Sequence, residues 1–82
     1  MYKIKVQIQL KDDVLDPQGK TVGKALEHLG YSDISNVRVG KYIEMVSDSK
    51  DEKKLTTEVT EMCNKILANT VIEKFDFTIE RI

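Results

Sequence analysis

The chain has 82 residues, 33% charged and 40% hydrophobic, with 13 Lys and Arg against 14 Asp and Glu for a net charge of -1. That balance is the composition of an ordinary globular protein, not a disordered one, and it leaves no global basic field to attract nucleic acid. Residues 1–82 are read as one domain, small enough that burying sufficient apolar surface alone is hard and oligomerisation would help. No apolar signal region precedes the first strand pattern and no apolar run could span a bilayer, so no membrane partner is expected. The single cysteine, Cys63, allows neither an intrachain disulfide nor a Cys-based metal site, which points to a reducing cytoplasm.

Residues 2–10 alternate without a fault. Tyr2, Ile4, Val6, Ile8 and Leu10 share one face, and Lys3, Lys5, Gln7 and Gln9 the other, as in a strand with one buried side. Lys11-Asp12-Asp13 breaks the pattern. Asp16-Pro17-Gln18-Gly19 then opens a helix, with Asp16 as N-cap and Pro17 as first helical residue. Val22, Ala25, Leu26 and Leu29 recur at helical spacing to form a narrow apolar stripe suited to lying on a sheet, and Gly30 closes the helix.

Alternation resumes near Ile34, with Val37, Val39, Ile43 and Met45 on one parity and Lys41 out of place. A two-residue turn at Gly40-Lys41 would set Val37 against Glu44, whereas a three-residue loop of Val39-Gly40-Lys41 would pair Val37 with Ile43. A hairpin is therefore open, but one long strand bent at Gly40 keeps the parity and is preferred. About a dozen residues exceeds the usual strand length of roughly 5 or 6. Its overhang would need a partner, and this is the main residue-level argument for an oligomer.

Ser49-Lys50-Asp51-Glu52 offers a capping box for a second helix with apolar residues Leu55, Val59, Met62, Cys63, Ile66 and Leu67 and a left-handed stop at Asn69. Phe75, Phe77 and Ile79 alternate with Asp76, Thr78 and Glu80 in a last strand. The order β-α-β(β)-α-β, with right-handed crossovers and both helices on one face, predicts an α+β two-layer sandwich of ferredoxin-like resemblance whose long central strand extends into an oligomer partner.

No constellation for catalysis emerges. Gly19-Lys20-Thr21 resembles the end of a P-loop, but Val14 stands where that motif needs glycine, and Asp16 would repel a phosphate. His28, the only histidine, has no second histidine or spaced carboxylate pair beside it. Cys63 sits in an apolar stripe with no activating histidine, and the charges from Lys50 to Lys54 are of both signs. Catalytic and metal-ligating residues are thus expected to be none. Arg38 and Lys41 around Gly40 are either cationic decoration of a strand or contacts to a partner's acidic groups, with Gly40 allowing close backbone approach. An interaction module is the natural class, with candidate partner-binding residues Asp16, Gln18, Gly19, Lys20, Arg38, Gly40 and Lys41.

Four segments, KIKVQIQLK, VLDPQGKTVGKALEHLGY, NVRVGKYIEM and EMCNKILANTVIEKFDF, resemble the PurS family, the small subunit of phosphoribosylformylglycinamidine synthase, from end to end. The runs Val14 to Gly19 and Val37 to Lys41, in that order and spacing, make the resemblance specific. Asp13 departs from a common glycine and Thr70 from a usual proline. The resemblance implies a non-catalytic subunit that bridges a glutaminase subunit and a large ATP-dependent synthetase subunit in purine biosynthesis and supports passage of ammonia between them. It implies no cofactor in this subunit, ATP and Mg²⁺ in the synthetase subunit, and a homodimer or tetramer formed by sheet extension. The reading from a different class is a small-molecule-binding regulatory domain of ferredoxin-like type. RNA binding through the sheet is weaker, because Phe75 and Phe77 share the core parity.

Overall fold

The computed structural model describes all residues, 1–82. Its elements are strand β1 (Tyr2–Leu10), helix α1 (Pro17–His28), strand β2 (Gly40–Ser47), helix α2 (Glu52–Met62), a π-helical turn (Cys63–Leu67) and strand β3 (Glu73–Arg81). The sheet order is β2-β1-β3, antiparallel throughout, so β1 is the central strand. Its perfect alternation explains that place: Ile4 lies between Met45 and Ile79, Val6 between Ile43 and Phe77, and Ile8 between Lys41 and Phe75. These rows form the floor of the core, onto which α2 and the π turn lower Leu55, Val59 and Cys63. The opposite face carries cross-strand ion pairs, Lys3 with Glu44 at 3.1 Å and Lys5 with Glu80 at 3.0 Å.

Several expectations are corrected. The long bent strand does not form. Strand pairing begins only at Gly40, because Asn36 adopts a left-handed φ of 57° and interrupts the extended run, and Arg38 turns back to bind the loop before α1. The bracketed second strand is therefore absent, β2 lies at an edge, and the overhang argument for an oligomer falls with it. The crossover argument keeps one application: β2 and β3, each antiparallel to β1, run parallel to each other, so the connection through α2 is a crossover of the kind that the handedness rule governs.

Helix α1 does not lie on the sheet as expected. Its only buried residue is Gly19, while Val22 and Leu29 remain exposed. The narrow stripe, interrupted by Gly23 and Lys24, offers too little apolar width to compete with α2 for the sheet.

The start of α2 is displaced from the predicted box. Asp51 is the N-cap, accepting from the N–H groups of Lys53 and Lys54, whereas Ser49 Oγ accepts from the N–H of Asp51 one step earlier. At the other end the helix leaves through Ala68 in extended conformation, and Asn69 instead shapes the turn into β3. The Asn69 carbonyl accepts from Ile72 and Glu73, and its side chain from Val71. The π turn widens the helix by one residue per bond, which keeps Cys63 inside and leaves Ile66 79% exposed.

Candidate functional site

The segments Asp16–Gly19 and Val37–Lys41, well separated in the chain, meet in one place. Asp16 caps α1 as its position suggested: one carboxylate oxygen accepts from the N–H of Gly19 at 2.9 Å. The other oxygen leaves the helix and accepts from the N–H of Val39 at 2.8 Å, one residue before β2 begins. A single buried carboxylate thus ties the start of α1 to the start of β2.

Arg38 completes this knot. Its guanidinium donates to the carbonyls of Lys11 at 3.0 Å and Val14 at 3.2 Å, with a longer contact to Leu10 at 3.4 Å, and its Nε lies 3.8 Å from Asp16. Arg38 thereby gathers the β1–α1 loop, which is also tied to the start of β3 by the N–H of Lys11 on the Ile72 carbonyl and by Lys74 on Asp12. The Asp16 carboxyl is held below the usual carboxylate range, first by the N–H of Gly19, then by that of Val39, with Arg38 adding to them against the cost of burial.

Gly19 and Gly40 are needed for close approach. A Cβ on Gly19 would stand 2.3 Å from the carbonyl oxygen of Val37 and 2.6 Å from Asp16 Oδ2, and one on Gly40 would stand 2.5 Å from the carbonyl oxygen of Ile8. Lys41 faces the apolar side of the sheet and meets Glu73 across β1 at 3.4 Å. The Glu73 carboxyl is lowered first by the N–H of Asn69 and secondarily by Lys41. Gln18 and Lys20 remain exposed on α1.

Of the seven sequence-predicted residues, then, Asp16, Gly19 and Arg38 converge in the knot, Gly40 and Lys41 adjoin it on β2, Gln18 borders a cleft shared with Gly40 and Lys41, and Lys20 lines the groove beside the knot. The residues that sequence reasoning missed are the carbonyls of Lys11 and Val14 and the N–H of Val39. Backbone groups leave no signature in side-chain identity, so no residue pattern singled them out.

Beside the knot, α1 and residues 34–38 border an open groove of about 660 Å³ with Asp12, Lys20, Lys24 and Glu27 on its walls. Charges of both signs line it without a common focus. His28 is exposed in the last turn of α1, and no group of three or more His, Cys, Asp or Glu is placed to hold a metal ion. Burial pushes the Cys63 thiol up, away from the thiolate that nucleophilic chemistry needs. No helix is long and apolar enough to cross a membrane.

Fold and site together define a small α+β protein whose most distinctive side chains secure its own backbone. The sequence model of the PurS family, phosphoribosylformylglycinamidine (FGAM) synthase, matches residues 3–81, and the chain belongs to that family. It is 46% identical over 82 residues to the phosphoribosylformylglycinamidine synthase subunit PurS of Bacillus subtilis, covering 100% of this chain and 96% of that one. The Bacillus subtilis PurS structure superposes with a TM-score of 0.87 at 47% identity, covering 99% of this chain and 100% of the other. The crystal structure of Methanocaldococcus jannaschii PurS, described as one of the subunits of formylglycinamide ribonucleotide amidotransferase in the purine biosynthetic pathway, superposes with a TM-score of 0.89 at 41% identity over 100% and 99% of the two chains.

Proposed function

We propose that this chain is a non-catalytic subunit of phosphoribosylformylglycinamidine synthase in purine biosynthesis, bridging the glutaminase and the large synthetase subunit in the cytoplasm. The observation that carries this reading is the use of the two runs that bear the family resemblance: Asp16 and Arg38 spend their charges on backbone groups of this chain. Such a part gives shape to an assembly. Neutral ammonia released at one active site must reach another without being protonated by water, and a well-fitted protein joint serves that end better than a further acid or base. ATP and Mg²⁺ belong to the synthetase subunit in this account. Gln18 and Lys20, exposed on α1, are the side chains offered to a partner, and Lys41 supports the strand that stands beside them.

A homodimer or tetramer is part of the proposal, now on different grounds. Only 9 of 82 residues are buried, and the chain measures 50 × 28 × 14 Å with a radius of gyration of 16.2 Å. A compact domain of this length has a radius of about 12 Å. The sheet is read as a ferredoxin-like arrangement one strand short, which the central antiparallel position of β1 supports and which leaves β2 with a free edge for extension.

Reconstitution of the three subunits tests the function. With this chain omitted, ammonium-dependent synthesis is expected to persist and glutamine-dependent synthesis to fail. Equal glutamine-dependent rates with and without it would refute the bridging role.

A further inference from the structure

The three strand-to-strand ion pairs of the sheet are not alike. Lys3–Glu44 and Lys5–Glu80 close at 3.1 and 3.0 Å on the polar face, whereas Lys41–Glu73 stretches to 3.4 Å at the end of the apolar face. The Lys41 side chain is also the most open of the three lysines, 55% exposed against 38% and 35%. Glu73 does not depend on it. The other oxygen of that carboxylate accepts from the N–H of Asn69 at 2.7 Å, and this bond, ahead of the lysine, is the main cause of its lowered pKa. The turn into β3 thus keeps Glu73, and Lys41 is the loosely held half of the pair.

Beside them lies a cleft of about 260 Å³, bordered by Ile8, Gln18, Gly40, Lys41 and Glu73. Gly40 brings no side chain to fill it. Gln18 comes from the first turn of α1, whose cap is Asp16, so its amide has no capping duty and keeps its donors for a ligand. We propose that this cleft takes an aspartate or glutamate side chain of a partner subunit of the synthase, which draws the Lys41 ammonium away from Glu73 and accepts from the Gln18 amide. An ammonium and an amide at the border of a space the size of one side chain suit a carboxylate, the ligand that charge-assisted bonding favours. Glu73 holds Lys41 over the cleft in the free chain and gives it up at small cost, because Asn69 keeps the Glu73 carboxylate bonded. The inference rests on the assembly proposed above and names the chemistry by which the partner is recognised.

Two variants with opposite effects test it. A fluorescently labelled chain is titrated into the glutaminase and synthetase subunits, together and separately, with glutamine, ATP and Mg²⁺ present. Lys41→Gln should weaken binding about tenfold and flatten its salt dependence. Glu73→Gln, which keeps an acceptor for the Asn69 N–H and frees Lys41, should leave binding unchanged or tighten it by up to about threefold. Lys65→Gln, the same charge change at an exposed site on the π turn, should have no effect. Equal weakening by Lys41→Gln and Glu73→Gln would make the pair within the chain the purpose of Lys41 and overturn the proposal. Equal weakening by Lys65→Gln would reduce the effect to net charge and overturn it as well. Light scattering of the isolated chain should show Lys41→Gln self-associating as the native chain does; a loss limited to self-association would give the cleft to a second copy and overturn the partner assignment. A native chain that binds neither subunit would sink the synthase reading and this proposal together, whereas native binding that Lys41→Gln leaves intact would sink the proposal alone.

Discussion

At the scale of single residues, one carboxylate does what two separate features would otherwise do. Asp16 satisfies a free N–H at the start of α1 and another at the start of β2. Asp16→Ala leaves both donors without their partner, and a melting temperature lower by about 4–8 °C is expected, the shift that loss of one cap-sized interaction gives in a domain of this length. The fold binds the ionised form, so its folded pKa lies below the unfolded value of about 3.9. The stabilisation is complete above that value and is lost as pH falls through it and on through the lower folded pKa. Asp12, Glu44 and Glu73 are lowered as well, so acid unfolding followed by circular dichroism should keep part of its slope below about pH 4 in Asp16→Asn. The glycines give a sharper contrast. Gly19→Ala puts a methyl into the Val37 carbonyl and should cost about 1–3 kcal/mol. Gly23→Ala, only 3.6 Å from Val37 Cγ2, meets ordinary contact in a helix interior and should gain roughly 0.5–1 kcal/mol, both read by urea denaturation. Capping by Asp16 was legible in the sequence because a cap is local; its second bond was not, because it joins residues 23 apart.

At the scale of elements, legibility tracked the range of the interactions concerned. β1 and β3 could be read from alternation, since each is decided by which face is buried. The run from Ile34 to Met45 alternates too, yet only its second half is strand. Asn36 tolerates a left-handed φ at modest cost, and the gain that draws the chain out of line is the grip of Arg38 on distant carbonyls. Lys41, the residue that spoiled the pattern, is accounted for by Glu73 across the central strand, a partner that no local window contains. In α2 and the turn after it the helical stripe placed Leu55, Val59, Cys63 and Leu67 correctly and Ile66 wrongly, because the π turn changes the angular spacing after Cys63 and leaves Ile66 outside while Leu67 still packs on the core. Leu55→Ala should therefore cost about 2–5 kcal/mol, against a change within about 0.5 kcal/mol for Ile66→Gln in the same denaturation assay.

At the scale of the whole molecule, the chain is a sheet and helix with a true core and, beside them, α1 and the loop after it without one. The two runs of sequence that carry the PurS resemblance lie where these parts join, with Asp16 and Arg38 bound to backbone groups and Gly19 and Gly40 allowing the close approach. Composition alone gave warning that 82 residues would struggle to cover themselves, and the observed shape bears out the difficulty. The route differs from the one the sequence pointed to, since an uncovered helix has replaced an overhanging strand as the reason to seek a partner. Lys41→Ala, at a half-exposed ion pair, should change the stability of the isolated chain by no more than about 1 kcal/mol. Arg38→Ala should both destabilise the chain and weaken assembly, as size-exclusion chromatography with light scattering will show. The most direct test of a structural rather than chemical role is a titration of Asp16→Ala into the glutaminase and synthetase subunits, with glutamine-dependent product formation as the readout. The account predicts the native maximal rate at saturating Asp16→Ala, with about tenfold more of it needed to reach half of that rate. A maximal rate that stays far below native however much is added would contradict it.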